Sequence, residues 1–166
     1  DAMGYVRLTE NTSDNIAFER IVNFPTRGIG LSTIEKIRSH SVENHTDLFQ
    51  SSIAIKDSLP SRASNALTNF IHLIESMTDA VNNLHLREKV DTILIQSGLM
   101  NHYSNDKTDK AGSKKENLEE LVTAAKQYVH EEESEMSETE GFIALATLDS
   151  SGDSKPDDNE CVQLMT

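Results

Sequence analysis

Five consecutive residues, Thr26, Arg27, Gly28, Ile29 and Gly30, have types that would suit a phosphate-binding loop. Because glycine has no Cβ, a turn with two glycines lets a ligand approach the backbone closely. If a helix begins directly after the turn, the first amides of that helix and those of the turn would face an anion at the positive end of the helix dipole. The Thr26 hydroxyl and the Arg27 guanidinium could donate to the same phosphate.

Two further basic side chains, Lys36 and Arg38, lie deeper in the same segment and extend the candidate site. Contacts of this kind read the nucleic-acid backbone and not the bases, so the predicted binding is independent of sequence and weakened by salt. The same residues also suit a plain glycine turn between two packed helices, with Ile29 buried at its centre. The residues alone leave both interpretations open.

Two helices are expected to position this turn. Ser13 or Asp14 can cap a helix over residues 15–22, which must end before Pro25 because the residue preceding a proline is pushed out of the helical region. Ser32 is expected to be the N-cap of the next helix, with a glutamate three positions later completing a capping box. The sequence therefore predicts a helix-hairpin-helix element around the turn.

Hydrophobic periodicity predicts that the rest of the chain is also mainly α-helical, as one compact domain. Apolar side chains recur at three-and-four spacing over residues 62–84, which favours a long helix. Gly98 suits a left-handed position after a helix over residues 86–96. Shorter helices are expected over residues 1–8, over residues 47–52 after a cap at Thr46, over residues 116–130 and over residues 141–148.

Four stretches interrupt this helical pattern. Residues 104–115 are polar and are expected to form a loop, and residues 130–140 are charged and read as a frayed helix end and loop. Residues 149–160 have the composition of a flexible acidic linker. Residues 161–166 alternate like a single strand that has no partner strand in this sequence, which suggests a fragment of a longer protein.

The net charge of −13 would ordinarily argue against a nucleic-acid partner, because an acidic field repels phosphate. The charge is unevenly distributed, however. Residues 1–115 hold 14 acidic and 13 basic side chains, whereas residues 116–166 hold 14 acidic side chains and two basic ones, Lys126 and Lys155. The acidity therefore belongs to the C-terminal third of the chain and not to the turn.

No arrangement typical of a catalytic or metal site is found in the sequence. The six histidines show no i, i+4 pairing and have no companion cysteines, and there is no phosphate loop, GxSxG motif or Cys/His pair. The single Cys161 can form no internal disulfide, so the expected compartment is the cytoplasm. No apolar run approaches the roughly 18 residues of a spanning helix, so no membrane partner is expected.

Four sequence blocks follow one another in a characteristic order: YVRLTENTSDNIAFERIVNFPTRGIG, SGLMNHY, KKENLEELVTAAKQY and VQLMT. Together they resemble the UvrD/Rep/PcrA-type superfamily 1 DNA helicases over nearly the whole chain. In that family such a segment leaves the 2A subdomain, passes through the inserted 2B subdomain and returns to 2A. The resemblance implies a 2A lead-in at residues 1–22, a helical 2B subdomain at 23–150, an acidic linker at 151–160 and the first strand of the 2A return at 161–166.

The resemblance also implies a function for the parent protein. It would be an ATP-dependent motor that moves 3′ to 5′ on single-stranded DNA and separates duplexes during repair and replication. ATP and Mg²⁺ would bind outside this segment, so the segment itself is expected to have no cofactor, no catalytic residue and no ATPase activity. The implied partners are DNA at a duplex/single-strand junction, the motor domains of the parent and DNA-repair proteins.

Within that family, the turn corresponding to residues 26–30 touches the backbone of duplex DNA ahead of the fork. The acidic stretch over residues 131–160 matches the family least well. A second interpretation therefore remains open, in which the chain is a protein-docking, autoregulatory module and DNA contact is incidental. A free-standing enzyme is disfavoured because no catalytic constellation is present.

Overall fold

The computed structural model describes residues 1–106, 108–130 and 134–152, and these residues are mainly α-helical, as the sequence predicts. No helix among them is long and apolar enough to cross a membrane. The helices in the described residues are α1 (Ala2–Glu10), α2 (Asn15–Ile21), α3 (Leu31–Asn44), α4 (Leu48–Ile55), α5 (Ser61–Val81), α6 (Leu86–Gln96), α7 (Leu99–Asn105), α8 (Asp109–Gln127) and α9 (Glu138–Gly152), with a 3₁₀ helix at Lys56–Ser58.

The chain divides into two compact units. Residues 1–129 form the first unit, which contains α1 to α8, and residues 130–166 form the second, in which α9 is described. The strand predicted at residues 161–166 and the linker residues 153–160 lie outside the described residues. The subdomain boundaries expected after residues 22, 150 and 160 stay predictions.

The core of the first unit is largely aliphatic, with three aromatic rings at its centre. Helix α1 packs against α2, α5 and α6, while α3 packs against α4, and α8 against α6 and α7. The Phe18 and Phe70 rings meet edge to face, with centroids 5.7 Å apart. The largest fully buried side chains of this unit are Tyr5, Leu8, Phe18, Ile21, Ile29, Ile37, Leu67, Phe70, Ile74, Met77 and Leu86.

The helix caps confirm one sequence prediction and correct two. Asp14 caps α2, since its side chain accepts from the amide of the third helical residue. Helix α4 is capped by Asp47 and not by Thr46. Helix α3 is capped by Gly30 and not by Ser32, because the Gly30 carbonyl oxygen already accepts the first two helical hydrogen bonds, at 3.0 and 3.2 Å. Ser32 therefore lies within the first turn of α3, and the predicted capping box is absent.

The polar stretch over residues 104–115 is mostly helical and not the loop that its composition predicts. Helix α7 ends at Asn105, and α8 already begins at Asp109. The reason is a narrow apolar stripe along α8, in which Ala111, Leu118 and Ala125 recur every seven residues and are all buried. Seven-residue spacing keeps these side chains on one face, while the polar side chains between them occupy the others.

In the second unit, α9 begins at Glu138, three residues earlier than the sequence predicts. Ser137 and Glu140 form a capping box: the Ser137 hydroxyl accepts from the Glu140 amide at 3.2 Å, and the Glu140 carboxylate accepts from the Ser137 amide at 2.8 Å. The helix then continues to Gly152. The first four residues of the expected linker, 149–152, are therefore helical.

Candidate nucleic-acid interface

One side chain, Asn23, holds the turn between α2 and α3 in shape. Its Oδ1 atom accepts hydrogen bonds from the backbone amides of Arg27, at 2.9 Å, and of Ile29, at 3.2 Å. Between them, Gly28 has a φ of +82°, in the left-handed region that favours glycine. Ile29 is 1% exposed, which confirms the prediction that its side chain points inward.

The guanidinium of Arg27 is directed into the protein. Its Nη1 atom donates to the carbonyl oxygens of Ile21, at 3.3 Å, and of Pro25, at 2.9 Å. Its Nη2 atom donates to the Tyr5 hydroxyl and to the carbonyl oxygen of Ser97, at 3.1 Å. The guanidinium also lies 5.6 Å from the centroid of the Tyr5 ring, within the range of a cation–π interaction.

This placement corrects the expectation that the Arg27 guanidinium is free to donate to a phosphate. Both terminal nitrogens already have two acceptors each inside the protein, and a second ring, that of Phe70, lies 5.7 Å away. Breaking these bonds would leave part-buried acceptors without donors, which is costly. Tyr5 belongs to α1, and Ser97 follows α6. Arg27 therefore ties the turn to two helices that are remote in sequence, and its role is to position the turn.

The outward side of the turn consists of backbone amides. Those of Gly28, Gly30, Leu31 and Ser32 have no acceptor in the part of the chain that the structure describes. Helix α3 has no acidic side chain in its first turn, so nothing there offsets the positive end of its dipole. The neighbouring Thr26 side chain is exposed. This arrangement can bind an anion through several hydrogen bonds at once.

Neither the backbone conformation nor the packing at position 30 requires a glycine. Its φ of −83° and ψ of 168° lie in the extended region that any residue adopts. A Cβ atom added at Gly30, or at Gly28, would meet no atom within 4 Å. The missing side chain therefore leaves space on the outside of the molecule, next to the unbonded amides.

The two basic residues of α3 differ in their surroundings, although both are exposed. Arg38 donates to the Glu19 carboxylate of α2, and this hydrogen bond lowers the pKa of Glu19. Lys36 forms no ion pair within the described residues. It lies six residues beyond Gly30, which corresponds to about 9 Å along the helix axis. Of these two basic side chains, Lys36 is the one whose charge is not paired within the described residues.

Comparison with known proteins is decisive for the family. The family model described as the UvrD-like helicase C-terminal domain matches residues 1–166. The chain belongs to this family. Its membership agrees with the resemblance that the four sequence blocks indicate.

Curated relatives of this UvrD-like chain are DNA helicases. It is 37% identical over 170 residues to DNA helicase II of Escherichia coli (strain K12), covering 100% of the chain and 24% of that protein. It is 36% identical over 169 residues to DNA helicase II of Haemophilus influenzae, covering 100% of the chain and 23% of the relative. It is 32% identical over 134 residues to ATP-dependent DNA helicase PcrA of Bacillus subtilis (strain 168), covering 80% of the chain and 18% of that helicase. The UvrD-like chain thus spans less than a quarter of the length of these relatives.

Two residues that shape the turn of this UvrD-like chain were not predicted from the sequence. Asn23 precedes the proline of the turn, and an asparagine side chain that accepts from nearby backbone amides is a common turn device, so this signal was present. Tyr5 donates to the Phe24 carbonyl oxygen and accepts from Arg27. No local pattern connects Tyr5 to the turn, because it lies 22 residues before Arg27.

The buried Tyr5 hydroxyl predicts a loss of stability at alkaline pH. Burial raises the pKa of Tyr5 from 10.0 to about 12, against the opposing effect of Arg27. Because the folded state favours the neutral phenol, this contribution is complete below pH 10 and is lost as the pH rises to 12, by at most about 1.4 kcal/mol per pH unit. Urea unfolding at successive pH values should show a steeper decline for the wild type than for Tyr5→Phe.

At neutral pH the Tyr5→Phe variant should be less stable by roughly 1–2 kcal/mol, because the part-buried carbonyl oxygen of Phe24 loses a donor and the Arg27 guanidinium loses one of its acceptors. Tyr103→Phe is the matched control, since Tyr103 is also buried and its hydroxyl forms no hydrogen bond within the described residues. Equal stability of the two variants would show that the Tyr5 hydroxyl does not hold the turn.

Proposed function

We propose that this chain is the accessory 2B subdomain of an ATP-dependent 3′–5′ DNA helicase that acts in DNA repair and replication, flanked by short parts of 2A. It contacts the backbone of duplex DNA through a helix-hairpin-helix element, at residues 26–30 and the first turn of α3. The observation that carries this proposal is the row of exposed, unbonded amides beside two glycines with open space around them. Membership of a helicase family and relatives named DNA helicase II support it.

Phosphate oxygens fit the amides of the turn for three reasons. They are acceptors, they carry negative charge, and they repeat along the duplex regardless of base sequence. The exposed Thr26 hydroxyl would add a donor next to these amides, and the exposed Lys36 ammonium would add a positive charge further along α3. With so few contacts and a net charge of −13, the isolated chain should bind weakly, in the high-micromolar range or weaker at low salt.

The inward and outward groups of the turn have separate tasks. Asn23 and Arg27 fix the backbone from the inside, and Ile29 anchors it in the core. The amides on the outside are thereby held in position before any ligand arrives, which lowers the entropy cost of binding. Arg27 contributes to DNA binding indirectly, as a positioning residue.

ATP and Mg²⁺ are assigned to the remainder of the helicase. The described residues contain no group of three or more His, Cys, Asp or Glu side chains that could hold a metal ion. No step of the proposed DNA contact involves either ligand. The motor domains of the same protein and the junction DNA are the proposed partners, DNA-repair proteins are further ones, and the proposed compartment is the cytoplasm.

The alternative is a protein-docking, autoregulatory module in which DNA contact is incidental. The charge of residues 116–166, with 14 acidic and two basic side chains, favours a protein partner for that part of the chain. This alternative predicts that changes in the turn leave duplex affinity unaltered.

Amide-resolved NMR of the 166-residue chain, titrated with a short duplex at low salt, tests the proposal. Chemical-shift changes should be largest at the amides of residues 26–32 and should include Lys36. Two duplexes of unrelated sequence should produce the same changes, because the turn contacts the backbone only.

Single-stranded DNA of the same length and an unrelated polyanion serve as controls in this titration. Both should shift the same amides less than the duplex does. Shifts confined to residues outside 26–38 would remove the basis for the assigned interface.

A further inference from the structure

Leu31 is an exposed apolar side chain directly beside the candidate interface. It is the first residue of α3, and 77% of its surface is exposed, whereas Ile29, Ile34 and Ile37 of the same segment are buried. The first turn of a helix favours polar or acidic residues that interact with free amides and the helix dipole. Helix stability therefore does not explain a leucine at this position, and the Leu31 side chain does not pack in the core.

The position of Leu31 means that a ligand on the free amides would also meet its side chain. A phosphate oxygen hydrogen-bonded to the Leu31 amide would lie about 2.9 Å from that nitrogen, and the Cβ atom of Leu31 is two bonds from the same nitrogen. Gly28 and Gly30 leave room for such a ligand, since a Cβ atom added at either position would meet no atom within 4 Å. A ligand that binds these amides would therefore lie next to this leucine side chain.

In a nucleic-acid duplex, the group next to each phosphate is a sugar, whose C–H surface is apolar. We propose that Leu31 packs against deoxyribose carbons beside the phosphate that the amides hold. This inference rests on the proposed duplex contact and adds a second kind of interaction to it. Hydrogen bonds and charge supply a salt-sensitive part of the affinity, and Leu31 supplies a part that does not depend on salt, because apolar burial releases no counterions.

The test is the salt dependence of duplex affinity for variants of the 166-residue chain. Leu31→Ser should weaken binding by roughly fivefold, as expected for losing partial burial of a leucine. The slope of log K against log salt concentration should stay that of the wild type. Lys36→Ala should instead reduce that slope by about one, because one phosphate contact is lost.

Val42→Ser is the matched control for Leu31→Ser. Val42 lies on the same helix and is 74% exposed, but it is eleven residues farther on, about 16 Å along the axis. This variant should bind the duplex like the wild type. Leu31→Met, which keeps an apolar side chain of similar volume, should restore most of the affinity that Leu31→Ser loses.

The outcomes separate this inference from the function on which it rests. The variant Gly30→Asp places a negative charge beside the free amides and should weaken duplex binding. If Leu31→Ser binds the duplex like Val42→Ser while Gly30→Asp binds it more weakly, the role of Leu31 is overturned and the duplex contact stands. A Leu31→Ser variant with a changed salt slope also overturns the apolar contact. If neither Leu31→Ser nor Gly30→Asp affects duplex affinity, the proposed interface itself is wrong.

Discussion

Replacing Gly30 with aspartate should weaken duplex binding by at least about tenfold while leaving the fold intact or slightly more stable. The backbone of Gly30 is extended, with φ −83° and ψ 168°, and a Cβ atom there would meet no atom within 4 Å. At this N-cap position, a carboxylate accepts from the free amides of the first turn and complements the helix dipole. Unfolding should therefore require roughly 0.5–1 kcal/mol more than in the wild type.

The loss of binding in Gly30→Asp has two physical causes. The introduced carboxylate occupies amides that would otherwise face a phosphate, and it repels the phosphate charge at close range. Gly30→Asn is the matched control, because asparagine caps helices about as well and is nearly the same size but carries no charge. Duplex affinity should fall in the order wild type, Gly30→Asn, Gly30→Asp, while urea unfolding shows both variants at least as stable as the wild type.

Replacing Arg27 with alanine should greatly lower the stability of the fold, whereas Gly30→Asp should lower duplex affinity and leave the stability unchanged or slightly higher. The carbonyl oxygens of Ile21, Pro25 and Ser97 and the hydroxyl of Tyr5 all lose a donor, and the cation–π contacts with two aromatic rings are lost as well. The expected cost is roughly 2–4 kcal/mol, measured by urea unfolding of the 166-residue chain. This is a substantial part of the stability of a typical domain.

Arg27→Lys should recover little of this stability, because an ammonium group cannot reproduce the planar fork that reaches four acceptors. Arg62→Ala provides the control, since Arg62 is exposed on α5 and forms no ion pair within the described residues. A cost for Arg27→Ala no greater than that for Arg62→Ala would contradict the positioning role. Any loss of duplex binding in Arg27→Ala should accompany shifted amide signals throughout the turn in the free protein.

The long elements of the fold could be predicted from the sequence because their apolar side chains recur at helical spacing. Helix α5 at Ser61–Val81 and α6 at Leu86–Gln96 follow this pattern closely. Helix starts were harder to predict, since serine, threonine, aspartate and glycine all serve as N-caps. When two possible N-caps lie within one or two residues of each other, as Gly30 and Ser32 do, the local sequence does not show which of them caps the helix. The polar start of α8 was missed because three buried side chains in a seven-residue repeat leave most of the helix hydrophilic.

In the candidate interface, too, features set by neighbouring residues could be predicted, whereas contacts with residues distant in sequence could not. The inward direction of Ile29 follows from its apolar character, and the left-handed backbone at Gly28 follows from its lack of a Cβ atom. The inward direction of Arg27 could not be predicted, because its acceptors at Tyr5 and Ser97 are separated from it by 22 and 70 residues. Only the packing of α1 and α6 brings these groups together around the turn.

The duplex affinity of Gly30→Asp relative to the wild type, measured at low salt on chains shown to be equally folded, tests whether the turn binds the DNA backbone. If the free amides of the turn hold a phosphate, Gly30→Asp should bind at least about tenfold more weakly, and Gly30→Asn should lie between the two. Equal affinities for all three chains would contradict the claim and would favour the protein-docking alternative.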